Sequence, residues 1–235
     1  MFGRGLLSAV LAACLTACAG TGALPGDTSA PRFDPGQLAK TDIDRVSDAH
    51  RREIASSLRL LAHKLYSRNP RNWRQAGRPS AQAAVARIFD TRAAWRFREL
   101  GEARGVEAVH LAFMDDFQGD RVLAFIGGLG GMIATAFNGK TEFFVLDDLD
   151  PQKLYNCARN LEIAAWKLNN ARDVNNELFL LSNHGTYPLN LSFEREFGRM
   201  IGNLDLLAKI VSDRTRRVVV RVVQNLATAV FLPVH

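Results

Sequence analysis

Apolar residues that recur every three or four positions run through most of this chain, and this spacing constrains its fold more than any other feature. The first such segment follows Thr41-Asp42 and ends at Asn69-Pro70. Its apolar residues share one helical face: Ile43, Val46, Ile54, Leu58, Leu61 and Leu65. Because Asp and Thr cap helix starts, and the residue before a proline avoids helical backbone, the pattern predicts one long helix.

Local start signals and the same periodicity predict further helices. Ser80 can cap a helix through Val85, Ile88 and Phe89, and the pattern leaves open whether it continues to Phe97 and Leu100. Asp150-Pro151 pairs a cap residue with a proline, whose missing N–H costs nothing in the first turn. Ser192 can cap a last long helix. The other predicted segments are 106–117 and the apolar run 122–137.

Three apolar stretches are candidates for a minor β element. Phe143–Leu146 and Leu178–Leu181 are short enough to be strands. Val218–Leu232 is rich in valine, and its periodicity does not decide between a helix and a strand. The balance of segments predicts a mostly all-α, helical globular domain.

The N-terminus has the three zones of a secretory signal. Arg4 is followed by the apolar run Leu6–Leu15, which is too short to span a bilayer, and then by small residues. The tetrapeptide Leu15-Thr16-Ala17-Cys18 resembles the lipobox of bacterial lipoproteins. The resemblance, confined to about the first twenty residues, implies cleavage before Cys18 and attachment of lipid to its sulfur and new amino group. The alternatives are an ordinary signal with a chance cysteine or an uncleaved anchor.

The predicted organisation is a signal peptide at 1–17, a lipidated flexible tether at 18–38 and one helical envelope domain at 39–235. The tether is rich in Gly, Pro, Ser, Thr and Ala, and it cannot bury enough surface to offset the entropy of ordering. In enteric-type sorting, an Asp directly after the lipidated cysteine resembles an inner-membrane retention signal. This chain has Ala19 at that position. We therefore expect an outer-membrane, periplasm-facing protein, with the inner membrane as the alternative.

Positive charge is concentrated near the start of the predicted domain. Residues 51–104 hold thirteen Lys or Arg and four Asp or Glu, although the whole chain carries only +6. Guanidinium groups suit lipid phosphates, lipopolysaccharide and cell-wall carboxylates; no nucleic acid is expected in the envelope. The alternative is a solvated helix face with intramolecular ion pairs. The predicted anion-binding residues are Arg68, Arg71, Arg74, Arg78, Arg92, Arg96 and Arg98.

The apolar run 122–137 contains four glycines, two of them, Gly127 and Gly131, four residues apart. Each glycine in a helix costs up to about 1 kcal/mol relative to alanine. A stripe of small residues lets another backbone approach closely. The run is also shorter than the roughly twenty residues that cross a hydrocarbon core. We therefore predict a buried helix with Gly127 and Gly131 at a close contact, with a membrane-inserted segment as the alternative.

No motif carries a predicted catalytic, metal or cofactor site. Ala134–Thr141 fits a relaxed phosphate loop but lacks the first glycine and the strand–helix context, so a helix end at Asn138-Gly139 is favoured.

Cys157 is expected to be a small buried apolar residue. The acidic clusters favour capping over metal binding, and His184 has no metal-spaced partner. These clusters are Asp115, Asp116 and Asp120, and Asp147, Asp148 and Asp150.

The sequence therefore predicts a lipid-anchored envelope protein that binds, as a structural, assembly or adaptor component, an anionic envelope molecule or another envelope protein. The alternative is an envelope hydrolase or lipid-handling enzyme that uses the acidic clusters or His184. Convergence of these groups in one pocket would favour the enzyme.

Overall fold

The structure, a computed structural model, describes residues 42–90, 94–140, 149–183, 191–222 and 225–235. In this part of the chain seven α-helices and no strand are found, which confirms the mostly all-α prediction. The helices are α1 Asp42–Arg68, α2 Pro70–Gln75, α3 Ala81–Ile88, α4 Val106–Leu111, α5 Arg121–Ala136, α6 Pro151–Asn170 and α7 Ser192–Thr215.

Three helix starts show how short side chains satisfy the free N–H groups of a first turn. The Ser80 hydroxyl accepts a hydrogen bond from the Ala83 N–H, and the Asp150 carboxylate accepts one from Gln152, as predicted. Asp120 caps α5 in the same way, by accepting from Leu123. The prediction for Ser192 was wrong, because this residue is already helical and Leu191 occupies the cap position without a side-chain bond.

Two predicted helices are shorter than their apolar patterns suggested. α3 ends at Ile88, and residues 94–100 continue as turns and a 3-10 segment, Arg98–Leu100, that still buries Phe97 and Leu100. α4 ends at Leu111, well before Phe117. Apolar spacing therefore located the buried residues but not the helix ends, because irregular backbone can bury side chains equally well.

The stretches named as candidate strands have different outcomes. Leu178 forms only an isolated bridge with Arg172. Phe143–Leu146 lies outside the described residues. Within 217–235, the described residues form neither helix nor strand, so both readings of Val218–Leu232 were wrong for them. Extended backbone in this C-terminal segment, defined here as residues 217–235, bonds instead to side chains of α6.

The core is built around α5, of whose sixteen residues twelve are buried. α5 packs against α1, α4 and α6, while α7 packs against both α1 and α6. Cys157 on α6 is fully buried, as predicted, and burial raises the pKa of its thiol to about 12. Among the described helices, none combines the length and apolar character needed to cross a membrane.

The glycines of α5 let the segment 94–109 approach this helix closely. A Cβ added at Gly127 would lie 2.8 Å from the Phe97 ring, and one at Gly131 would lie 3.3 Å from the Gly105 nitrogen. The tightest contact against backbone is at Gly128, whose added Cβ would lie 2.6 Å from the Gly105 oxygen. Glycine is therefore needed here for space.

Candidate functional site

The arginines predicted to bind anions do not share one pocket. Arg78 is paired with Glu99 at 2.9 Å, Arg71 lines a cleft beside Asp115 and Asp173, and Arg96 lines a separate groove. Arg68 is half-buried in the last turn of α1, and Arg98 is exposed. Arg74 lies over the ring of its neighbour Trp73. Arg92 lies outside the described residues.

A small cavity of about 150 Å³ has a buried tyrosine–aspartate pair in its lining. The Tyr66 hydroxyl donates a 2.7 Å hydrogen bond to Asp120. Burial raises the pKa of Asp120 despite its hydrogen bonds, and burial together with the Asp120 charge raises the pKa of Tyr66. Arg78 and Arg87 also line the cavity, and both are bound to Glu99. Its charges are thus mutually compensated, so this cavity is poorly suited to capturing an anion.

The acidic clusters are spread over different elements. Asp115 is exposed and accepts a bond from the Val174 N–H, whereas Asp120 and Asp150 cap helices. Asp147, Asp148 and His184 lie outside the described residues. Within the described ranges, no group of three or more His, Cys, Asp or Glu is arranged to hold a metal ion.

Five basic side chains line one groove beside residues 216–221. A groove of about 900 Å³ runs between α6, α7 and residues 216–221, and we call it the basic groove. Two carboxylates, Asp205 and Asp213, also line it. Its basic residues are Arg159, Lys209, Arg216, Arg217 and Arg221.

The two carboxylates neutralise only part of this charge. Asp205 binds Arg159 at 2.7 Å, and Asp213 binds Lys209 at 2.8 Å. Within the part of the chain that the structure describes, no carboxylate lies within ion-pair distance of Arg216 or Arg221, and both are exposed. The basic groove therefore presents uncompensated guanidinium groups to an incoming anion.

Arg159, in the lining of the basic groove, contacts several partners. It lies over the Tyr155 ring at 5.0 Å and forms a second ion pair with Glu162 at 3.1 Å. Burial raises the pKa of Glu162, and Arg159 opposes this shift. The Arg159 guanidinium is thus held by Tyr155, Glu162 and Asp205.

Amide side chains of α6 hold the C-terminal segment against the helix. Gln152, Asn156 and Asn160 follow one another at four-residue steps and therefore share a face. Asn160 donates to the Leu232 oxygen at 2.8 Å and accepts from the Leu232 N–H at 2.6 Å. Asn156 donates to the Pro233 oxygen at 2.7 Å.

Gln152 and Tyr155 hold the earlier part of the segment. Gln152 accepts from the Val220 N–H at 2.8 Å and donates to its oxygen at 3.2 Å. The Tyr155 hydroxyl accepts from the Val222 N–H at 3.1 Å and donates to its oxygen at 3.3 Å. These bonds fix one wall of the basic groove in an extended conformation.

Sequence reasoning missed this site. Two sequence features mark parts of the site without specifying how they pair: amide side chains that repeat every four residues in the helix after Pro151, and four arginines without an acidic residue in 214–221. The excess of basic residues is larger in 51–104 than in 214–221, so total charge alone points to the earlier stretch.

Comparisons with protein-family models, with curated proteins and with solved structures found no match to this chain.

Proposed function

We propose that this protein is a lipid-anchored component of the bacterial envelope that binds an anionic partner through the basic groove. The supporting observation is that, among the described residues, five basic side chains and two carboxylates line one groove, and Arg216 and Arg221 are exposed with no carboxylate within ion-pair distance. In a groove whose walls exclude part of the water, such charges attract anions more strongly than on a flat surface.

The anchor rests on the lipobox resemblance at Leu15–Cys18. Two or more acyl chains give stable membrane attachment, whereas one chain gives only marginal binding. An outer-membrane, periplasm-facing location follows from Ala19 as a proposal. In this setting the anions within reach are lipid phosphates, lipopolysaccharide and carboxylates of cell wall or proteins.

A binding role fits the polar groups better than catalysis does. The buried Tyr66–Asp120 pair caps α5, and Asp205 and Asp213 are engaged in ion pairs. A catalytic acid or base needs to reach a substrate proton, and these carboxylates are occupied by structural partners.

Binding of fluorescent polyglutamate to the full chain, purified in neutral detergent, tests the proposal. The double variant Arg216→Gln/Arg221→Gln should weaken binding several-fold. A matched variant, Arg74→Gln/Arg98→Gln, removes the same charge from exposed positions in the 51–104 stretch and should have little effect. Absence of saturable binding would refute the proposed function, and loss only in the matched variant would move the contact to the earlier arginines.

A further inference from the structure

One backbone edge of residues 218–222 is already paired. The N–H and C=O groups of Val220 and Val222 all bond to Gln152 or Tyr155. In extended backbone, the groups of alternate residues point in the same lateral direction. The groups of Val219 and Arg221 therefore point away from α6.

Among the described residues, the backbone groups of Val219 and Arg221 have no hydrogen-bond partner. Both residues also line the basic groove. An open extended edge with regularly spaced donors and acceptors is a template for a further strand.

The valine side chains that alternate with Val219 and Arg221 are exposed. Val218 is 87% exposed and Val220 68% exposed, although valine side chains in folded proteins are mostly buried. Val222 follows on the same face. A strand added beside them could cover part of this apolar face while its backbone pairs with Val219 and Arg221.

The positive charge beside this edge favours an acidic binding partner. The stretch 214–221 contains four arginines and no acidic residue. Antiparallel pairing of two copies centred on Val219 would bring Arg217 of each chain opposite Arg221 of the other, and like charges directly opposite are destabilising. A lipid interior is also unsuitable, because the unpaired N–H and C=O groups would enter hydrocarbon without partners.

We propose that the Val218–Val222 edge binds an acidic, extended segment of a partner protein, which adds to it as a β-strand. This inference rests on the proposed anion-binding function of the basic groove. Backbone hydrogen bonds to Val219 and Arg221 give the segment its register, and its carboxylates meet Arg216 and Arg221.

The test uses a fluorescent eight-residue peptide of alternating Glu and Val with the full chain in neutral detergent. Val219→Pro removes one outward N–H but none of the donors that bind α6, and proline is compatible with an edge strand. Binding should weaken roughly three- to tenfold, the loss expected for one or more backbone hydrogen bonds. Val219→Ala, which keeps the N–H, should lose clearly less binding than Val219→Pro.

A second arm leaves the protein unchanged. The same peptide, N-methylated at its four central amides, keeps its charge but cannot pair along either edge, and it should bind much more weakly. Equal binding of both peptides would refute strand addition while leaving the proposed function standing. No saturable binding of either peptide or of polyglutamate would refute both.

The other occupants are distinguished by separate readouts. Dimerisation of the full chain that is lost in Val219→Pro would show that a second copy occupies the edge and would overturn the proposal. Binding to anionic lipid vesicles by a chain that does not bind the peptide would assign the groove to the membrane and would also overturn it.

Discussion

Asn160 and Leu232, seventy-two positions apart, are joined by a pair of hydrogen bonds between one side-chain amide and one backbone unit. Asn160 is fully buried, so both of its polar groups need partners, and Leu232 supplies them. This pair of bonds attaches the C-terminal segment to α6.

Replacing Asn160 with leucine should destabilise the fold. The substitution keeps the volume but leaves the Leu232 N–H and C=O without partners, and unsatisfied backbone groups cost about 1–3 kcal/mol. Denaturant unfolding would measure the loss, and hydrogen exchange should become faster at Leu232. Asn170→Ala, at an exposed position at the end of α6, should change the free energy of unfolding by less than about 0.5 kcal/mol. Equal stability of the Asn160→Leu variant would contradict the contact.

Two glycine-to-alanine substitutions should have opposite effects on stability. Gly128→Ala places a methyl group against the backbone of Gly105 and Val109, and overpacking a tight contact costs about 1–3 kcal/mol. Gly202→Ala on α7 meets nothing within 4 Å, so it should stabilise the helix by about 0.5–1 kcal/mol. Thermal unfolding of both variants would measure the difference. Unchanged or increased stability of the Gly128 variant would show that α5 is not packed against Gly105 and Val109 as described.

Asp120 should contribute a loss of stability as pH rises. Burial raises the pKa of its carboxyl above the ordinary 3.8. At a pH between the unfolded and folded pKa values, the folded chain therefore keeps a proton on Asp120 that the unfolded chain has lost. The contribution of Asp120 to the free energy of unfolding is complete below pH 3.8 and decreases as the pH rises through the raised pKa. Relative to the unaltered chain, Asp120→Asn should gain stability as the pH rises above about 4 and through the raised pKa.

Denaturant unfolding across this range, with the exposed Asp116→Asn as a control, would measure the Asp120 effect. Asparagine can still cap α5, so helix capping is retained. Parallel stability curves for the Asp120 variant and the unaltered chain would contradict a raised pKa at this site.

Cys18 should be the site of lipid attachment. Cys18→Ser should abolish incorporation of labelled fatty acid and release the protein from the membrane fraction, because the sulfur that would carry the lipid is absent. Cys14→Ser and Cys157→Ser are matched controls and should retain the label. Undiminished labelling of the Cys18 variant would refute the lipoprotein proposal.

Local chemistry made parts of the fold predictable. Ser80 and Asp150 cap helices through bonds to residues two or three positions away, so the sequence around them contains the whole signal. The end of α5 is similar: Asn138 and Gly139 adopt positive φ, and the Gly139 N–H bonds back to the Ala134 oxygen. Short-range signals of this kind can be read without knowing the rest of the fold.

The basic groove could not be read in the same way. Val220 and Val222 are extended because Gln152 and Tyr155, almost seventy positions earlier, bind their backbone. No local pattern specifies that pairing. The distribution of Arg71, Arg78 and Arg96 among different cavities likewise depends on how helices pack, whereas the sequence shows only that they are close along the chain.

The salt dependence of polyglutamate binding to the full chain tests the central claim most directly. Exposed charges are screened over about 10 Å at 0.1 M salt. We therefore expect saturable binding at low salt that weakens at least about tenfold at high salt, with no binding of an uncharged polymer of the same length. Binding that is independent of salt, or equal for the charged and uncharged polymers, would contradict an anion-binding function.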